Sequence, residues 1–193
     1  MAAVTVGVDI DLEDDSTAIA VVERVERQRT DGRVAKHHEV RHLECLPVGK
    51  SYRAVATRLA EIVEGLPRPT GRWSYLYKPK IYVNTTVVGP PVVDLLRTYV
   101  RARIIRVDLT DGHERTESEK GDEVTLSKRW LVSRLRVLLH DGRLHLPPEA
   151  EELKRELEEP EDNDAALNSA VIALGLAVQK DQSGGRIGRV RTF

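Results

Sequence analysis

The hydrophobic pattern changes its period several times along the chain, and each change marks an element. Val4–Ile10 is a short apolar strand that runs into an acidic loop, Asp9–Asp15. Thr17–Val25 is β-branched and alternating, which predicts a second strand. Asp31-Gly32 is a hairpin signal, so Val34–Leu46 returns as a third strand and the three form an antiparallel meander. The period then becomes helical. Val55, Leu59, Ile62 and Val63 fall on one face behind Ser51, a capping residue, and Gly65 and Pro67 end the helix.

Beyond the loop Arg68–Lys78 comes the stretch that organises the rest, Lys80–Tyr99. It holds a strand (Ile81–Val83), a polar turn (Asn84–Thr86), a breaker (Gly89–Pro91) and an amphipathic helix from Val92. A further apolar run, Ile104–Val107, completes a β-α-β unit with parallel strands. Reactive groups in open α/β sheets gather at the carboxyl ends of the strands, and here that residue is Asn84.

Asp108–Glu123 is polar and reads as an exposed loop or small hairpin. Ser127–His140 puts Leu131, Leu135 and Leu138 on one helix face, and Gly142 ends it. Leu144–Leu146 is a short extended piece before Pro147-Pro148, and Glu149–Glu159 is a charged surface helix anchored by Leu153 and Leu157. Ala165–Val178 has no charged residue, which predicts a helix buried against the sheet. The order is β-β-β-α-β-α-β-α-α-α. One domain, residues 1–181, precedes a mobile Gly/Arg-rich tail, residues 182–193.

Composition narrows the function classes. The 193 residues suffice for one domain with a real core. A formal net charge of −1 provides no global field for nucleic acid, so any DNA contact must use a local basic patch. A single cysteine, Cys45, excludes an internal disulfide and suits a reducing compartment. No apolar run approaches a membrane span and the N-terminus carries no basic leader, which points to a cytoplasmic domain. His37, His38 and His42 lie in one strand near Cys45, with His38 and His42 on a shared face, but their spacing matches no zinc site. Trp73, Tyr75 and Tyr77 alternate as a hairpin does, or as a base-stacking surface would.

Three antiparallel strands followed by α-β-α-β resembles the ribonuclease H-like fold, a three-layer α/β arrangement with a mixed, five-stranded sheet and helices on both faces. The motifs narrow the resemblance. GVDIDLEDDSTAIAVVE is similar to the first strand and hairpin of phage terminase large-subunit nuclease domains. YVNTTVVGPPVVDLLR resembles their Asp-Thr-Thr turn and following helix, VTLSKRWLVSRLRVLLHDGRLHLPP their Pro-Lys-x-x-Leu-Val helix, and ALNSAVIALGLA the helix that opens with His-Asp-Asp. The match spans nearly the whole chain but includes no Gly-x-x-x-x-Gly-Lys-Ser/Thr loop of an ATPase motor.

What the resemblance implies is a cluster of carboxylates holding two Mg²⁺ or Mn²⁺ ions for phosphodiester hydrolysis. Asp9 matches the first carboxylate, with Asp11, Asp14 and Asp15 adding acidity in the same hairpin. The second falls on Asn84, which carries no charge and cannot act as a base, and Val87 replaces a turn glycine of the family. The third falls among Leu167, Asn168 and Ser169, none acidic; Asp164 is its nearest replacement, unless it caps the helix, and Asp162 is the other. The implied catalytic set is thus Asp9, Asn84 and Asp164, and the implied metal ligands are Asp9, Asp164 and Asp15. Lys128 matches the family's lysine and stands with Arg129 as the nucleic-acid contact, whereas Arg134 and Arg136 read as solvated helix charge.

Three functions are compatible with this pattern: a DNA- or packaging-motor-binding domain with cleavage impaired or lost, an active Mg²⁺/Mn²⁺-dependent endonuclease, and a non-catalytic protein-docking module. The implied partners are double-stranded DNA and the terminase ATPase, small terminase or portal protein, with no membrane. Asn84 is either natural or an Asp→Asn change introduced to trap an inactive form.

Overall fold

A computed structural model of the chain describes residues 3–10, 16–28, 32–67, 78–112, 116–118, 121–158 and 168–179. The expected meander is present as β1 (Ala3–Asp9), β2 (Thr17–Gln28) and β3 (Val34–Leu46), paired antiparallel. α1 (Tyr52–Glu64) follows, with the Ser51 side chain accepting from the Ala54 N–H at 3.2 Å. Then come β4 (Lys80–Asn84), α2 (Pro90–Tyr99) and β5 (Arg103–Thr110), the β-α-β unit read from the pattern. Gly89 enters α2 with φ 71°, a left-handed conformation that glycine adopts without steric cost.

The sheet is larger than the five strands expected. Its order is β6-β7-β5-β4-β1-β2-β3-β8, eight strands among the described residues. Of the extra strands, β6 (Thr116–Glu117) lies within the segment expected as loop or hairpin and β7 (Glu123–Ser127) starts at its last residue. Glu123–Ser127 alternates over only five residues between glycine and a helix, too short for its pattern to stand out. The third, β8 (Leu144–His145), pairs with β3 at two positions only.

α3 (Lys128–His140) is capped by Ser127, which accepts from the Trp130 N–H. A 3-10 turn at Pro148–Ala150 leads into α4 (Glu151–Glu158), and α5 (Ser169–Val178) closes the described chain. Asn168 caps α5 by accepting from the Ala170 N–H at 2.8 Å, so the cap is Asn168 and not Asp164.

Two apolar layers sandwich the sheet. Val4, Val6 and Val8 of β1 and Ile81 and Val83 of β4 pack under α1 and α2. On the other face α5, α3 and α4 cover Ala18, Ala20 and Val22 of β2, Tyr82 of β4, and Ile105, Val107 and Leu109 of β5. Every residue of α5 is buried, as its lack of charge implied. The contact between α5 and β1 is close: a methyl added at Gly7 would lie 1.9 Å from the Ala173 carbonyl oxygen.

β3 carries a bulge. Val21 pairs with His42 but Val22 pairs with Val40, which leaves Arg41 as the extra residue. The side-chain alternation therefore flips within the strand, so Val40 packs in the α3–α5 layer while Leu46 packs in the α1–α2 layer. His38 and His42 do not share a face, contrary to the strict alternation assumed from the sequence. His42 instead meets Glu44 at 2.9 Å, and Arg58 of α1 meets the same carboxylate at 2.9 Å. Those hydrogen bonds, the Arg58 one foremost, hold Glu44 below the usual carboxylate range against the opposing effect of burial.

Candidate functional site

The parallel strands β1 and β4 end together. Asp9 is the last residue of β1, Asn84 the last of β4, and the two are register partners. Because Val6 and Val8 point to the α1–α2 layer, Asp9 points the other way, as Gly7 does toward α5. Asn84 shares the face of Tyr82, which packs in the layer of α3 and α5. Strand parity and register thus bring two side chains 75 positions apart into contact.

Both are buried, Asp9 at 4% exposure and Asn84 at 9%. The Asn84 Nδ2 amide donates to Asp9 Oδ1 at 2.7 Å. Asn84 Oδ1 accepts twice, from the Thr86 backbone N–H at 3.1 Å and the Thr86 hydroxyl at 2.7 Å. This fixes the amide orientation chemically: a backbone N–H can only donate, so the atom facing it is the oxygen and the atom facing Asp9 is the nitrogen. Thr86 is anchored in turn, its hydroxyl oxygen accepting from the Leu109 N–H at 2.8 Å. Thr85 faces the opposite side of the turn, where its hydroxyl donates to Asp108 Oδ1 at 2.9 Å and its N–H to the Val107 carbonyl at 2.8 Å.

The charge balance of the pair follows from the amide. Two carboxylates at this separation would repel strongly in a buried site and would require a cation or a shared proton. An amide donor satisfies the Asp9 oxygen with neither. The Asn84 oxygen, the one atom of that side chain able to ligate a hard ion, is already held by Thr86. No group of three or more His, Cys, Asp or Glu side chains suited to an ion occurs among the described residues. Of the described residues that meet at this strand end, Asp9 brings one carboxylate and Asn84 a neutral amide.

The other expected site residues divide between described and undescribed positions. Asp164 and Asp15, with Asp11, Asp14 and Asp162, lie outside the described residues, as do Trp73, Tyr75, Tyr77 and the tail. Lys128 and Arg129 begin α3 directly after β7, half-buried and exposed respectively. Ser127 pairs with Thr110 of β5, three residues past Val107, the register partner of Asn84. The basic pair thus stands on the same carboxyl edge of the sheet as Asp9 and Asn84, two strands from Asn84 and three from Asp9. Arg134 and Arg136 act within the fold. Their Nε atoms donate to the Val178 carbonyl at 3.3 Å and the Leu157 carbonyl at 3.0 Å, in the last turns of α5 and α4.

Asp108 is the residue that sequence reading missed. Its position after the apolar run predicts a polar loop, yet β5 continues to Thr110 and holds Asp108 against Thr85. The signal was available: an acidic residue directly after the second strand of a β-α-β unit stands beside the residue that ends the first.

No protein-family model and no curated protein matches this chain. Among solved structures, it is similar to the large terminase nuclease from thermophilic phage G20c, with 17% sequence identity and a TM-score of 0.56. The alignment covers 93% of this chain and 82% of that one. At that identity the likeness speaks to architecture: this chain has the ribonuclease H-like fold of a phage large-terminase nuclease.

Proposed function

We propose that this chain is a terminase-nuclease-like domain that engages DNA or the packaging machinery and whose metal-dependent cleavage is impaired or lost. One observation carries the reading: Asn84 donates to Asp9 at 2.7 Å where a nuclease of this fold would need two carboxylates and a cation between them. The amide removes one unit of negative charge, occupies one Asp9 oxygen and commits its own oxygen to Thr86. Binding can outlast such a change, because contacts to phosphates depend on surface cations such as Lys128 and Arg129 and not on a bound metal.

The test is plasmid nicking in Mn²⁺. The native chain should leave supercoiled DNA intact, and N84D, alone or with S169D, should restore cleavage that a further D9A change abolishes. Sustained nicking by the native chain that D9A abolishes would establish the active endonuclease instead.

A further inference from the structure

The best-formed cluster outside the Asp9–Asn84 site lies at the outer edge of the sheet, where β8 joins β3. His37 Nδ1 and His145 Nε2 are hydrogen-bonded directly to each other at 2.9 Å, with the ring planes inclined by 20°. A neutral imidazole has one donor and one acceptor nitrogen, so this contact needs one ring to present an N–H and the other a lone pair. It holds one proton and has no place for a second.

The strand that the contact closes is short. β8 meets β3 at two register pairs, His38 with Leu144 and Glu39 with His145. The His38 N–H donates to the Arg143 carbonyl at 2.7 Å, and Arg143 Nε donates to the Lys36 carbonyl at 2.9 Å. A ladder of this length belongs to the low-stability end of a fold, where single contacts decide whether a segment opens.

We propose that the His37–His145 contact is a pH-sensitive latch: one shared proton keeps β8 on β3, and a second proton releases it. The surroundings favour release. The charged groups that face the pair are Arg27 from β2, Glu39 from β3 and Arg143 from the turn before β8. Glu39 Oε1 lies 3.9 Å from His145 Nε2 but is already paired with Arg27. With both rings protonated, four cations would share one carboxylate. Burial above all, then Arg27, His145 and Arg143, lowers the His37 pKa against the pull of Glu39. The folded chain thus takes up that proton less readily than the unfolded chain. The latch's contribution to stability is complete above the ordinary histidine value of about 6.5, and it is lost as pH falls through the lower His37 value. Release would be local, freeing the β3 edge at His38 and Glu39 while the inner strands stay paired.

Amide hydrogen exchange of the full chain, corrected for the intrinsic rate at each pH, tests the latch. Between about pH 7 and about pH 5, protection of the His38 N–H should fall about ten-fold or more, while amides of β1 and β4 keep theirs. In the unaltered chain the loss should track the titration of the His37 ring, followed by imidazole nitrogen NMR. H37Q and H145Q, which cannot take the second proton, should flatten the pH dependence, and H42Q should retain it. Equal His38 protection at both pH values would overturn the proposal. So would a loss shared by β1 and β4, a midpoint that follows another histidine only, or an undiminished pH dependence in H37Q and H145Q.

Discussion

The Asn84 amide is a stability determinant as well as a chemical one. In N84D the Asp9–Asn84 hydrogen bond is replaced by two buried carboxylates, and the expected cost near neutral pH is about 2 kcal/mol or more. The sign with pH is specific. In the folded variant the two carboxylates would share a proton, so one folded-state pKa rises above its unfolded value. The stability of N84D should therefore be greater below the unfolded carboxylate pKa and fall as pH rises through the raised one. Chemical denaturation of N84D across that range, with and without Mn²⁺, checks both points: Mn²⁺ should raise the stability of N84D and leave the native chain unchanged. A T86V change should also destabilise, by about 1–3 kcal/mol, because it strips Asn84 Oδ1 of one donor and leaves the Leu109 N–H without its acceptor.

At the scale of elements, α5 on β1 is the contact that admits least change. G7A would drive a methyl into backbone 1.9 Å away, which α5 can relieve only by lifting from the sheet. The expected loss is about 3 kcal/mol or more, read from denaturant midpoints. The far end of α5 invites the opposite change. Gln179 is fully buried and neither side-chain amide atom has a hydrogen-bond partner among the described residues. Q179L should be neutral or stabilising by about 1 kcal/mol in the same assay, since it removes two unsatisfied polar atoms at similar volume.

Elements of this kind were legible because a repeated pattern encodes them. The meander, the capped helices α1 and α3 and the uncharged α5 each repeat one local preference over many residues. What stayed hidden depended on one residue or on distant pairing. The Arg41 bulge reverses which histidines share a face, and the two-residue strand β8 exists only because β3 lies beside it. At the site, Asp9 and Asn84 were identified from their strand-end positions and their resemblance to family motifs. The direction of the Asn84 amide was not, because it is set by Thr86, two positions on.

For the whole molecule, charge decides how DNA could be met. With 30 basic and 31 acidic residues, there is no long-range attraction to rely on, so binding would be local and sensitive to salt. α3 illustrates the division of labour. It has no acidic residue; Arg134 and Arg136 are committed to the carbonyls of α5 and α4, and Lys128 at its start is the phosphate contact proposed from the resemblance. K128A should weaken DNA binding alike for all sequences and reduce the slope of log affinity against log salt by about 1. R136A should lower thermal stability first. Fluorescence anisotropy across a salt series separates these outcomes, and a native chain that fails to bind at low salt would point to the protein-docking role.

The bond between Asn84 and Asp9 also bears on how constant this surface is. A strand end built from opposed carboxylates changes shape and sign with the supply of ions around it, and takes its working form only when they are abundant. Here the corresponding contact is closed by the chain's own atoms. Its form would be the same in starved and replete surroundings, a fixed buried brace beneath the strand ends.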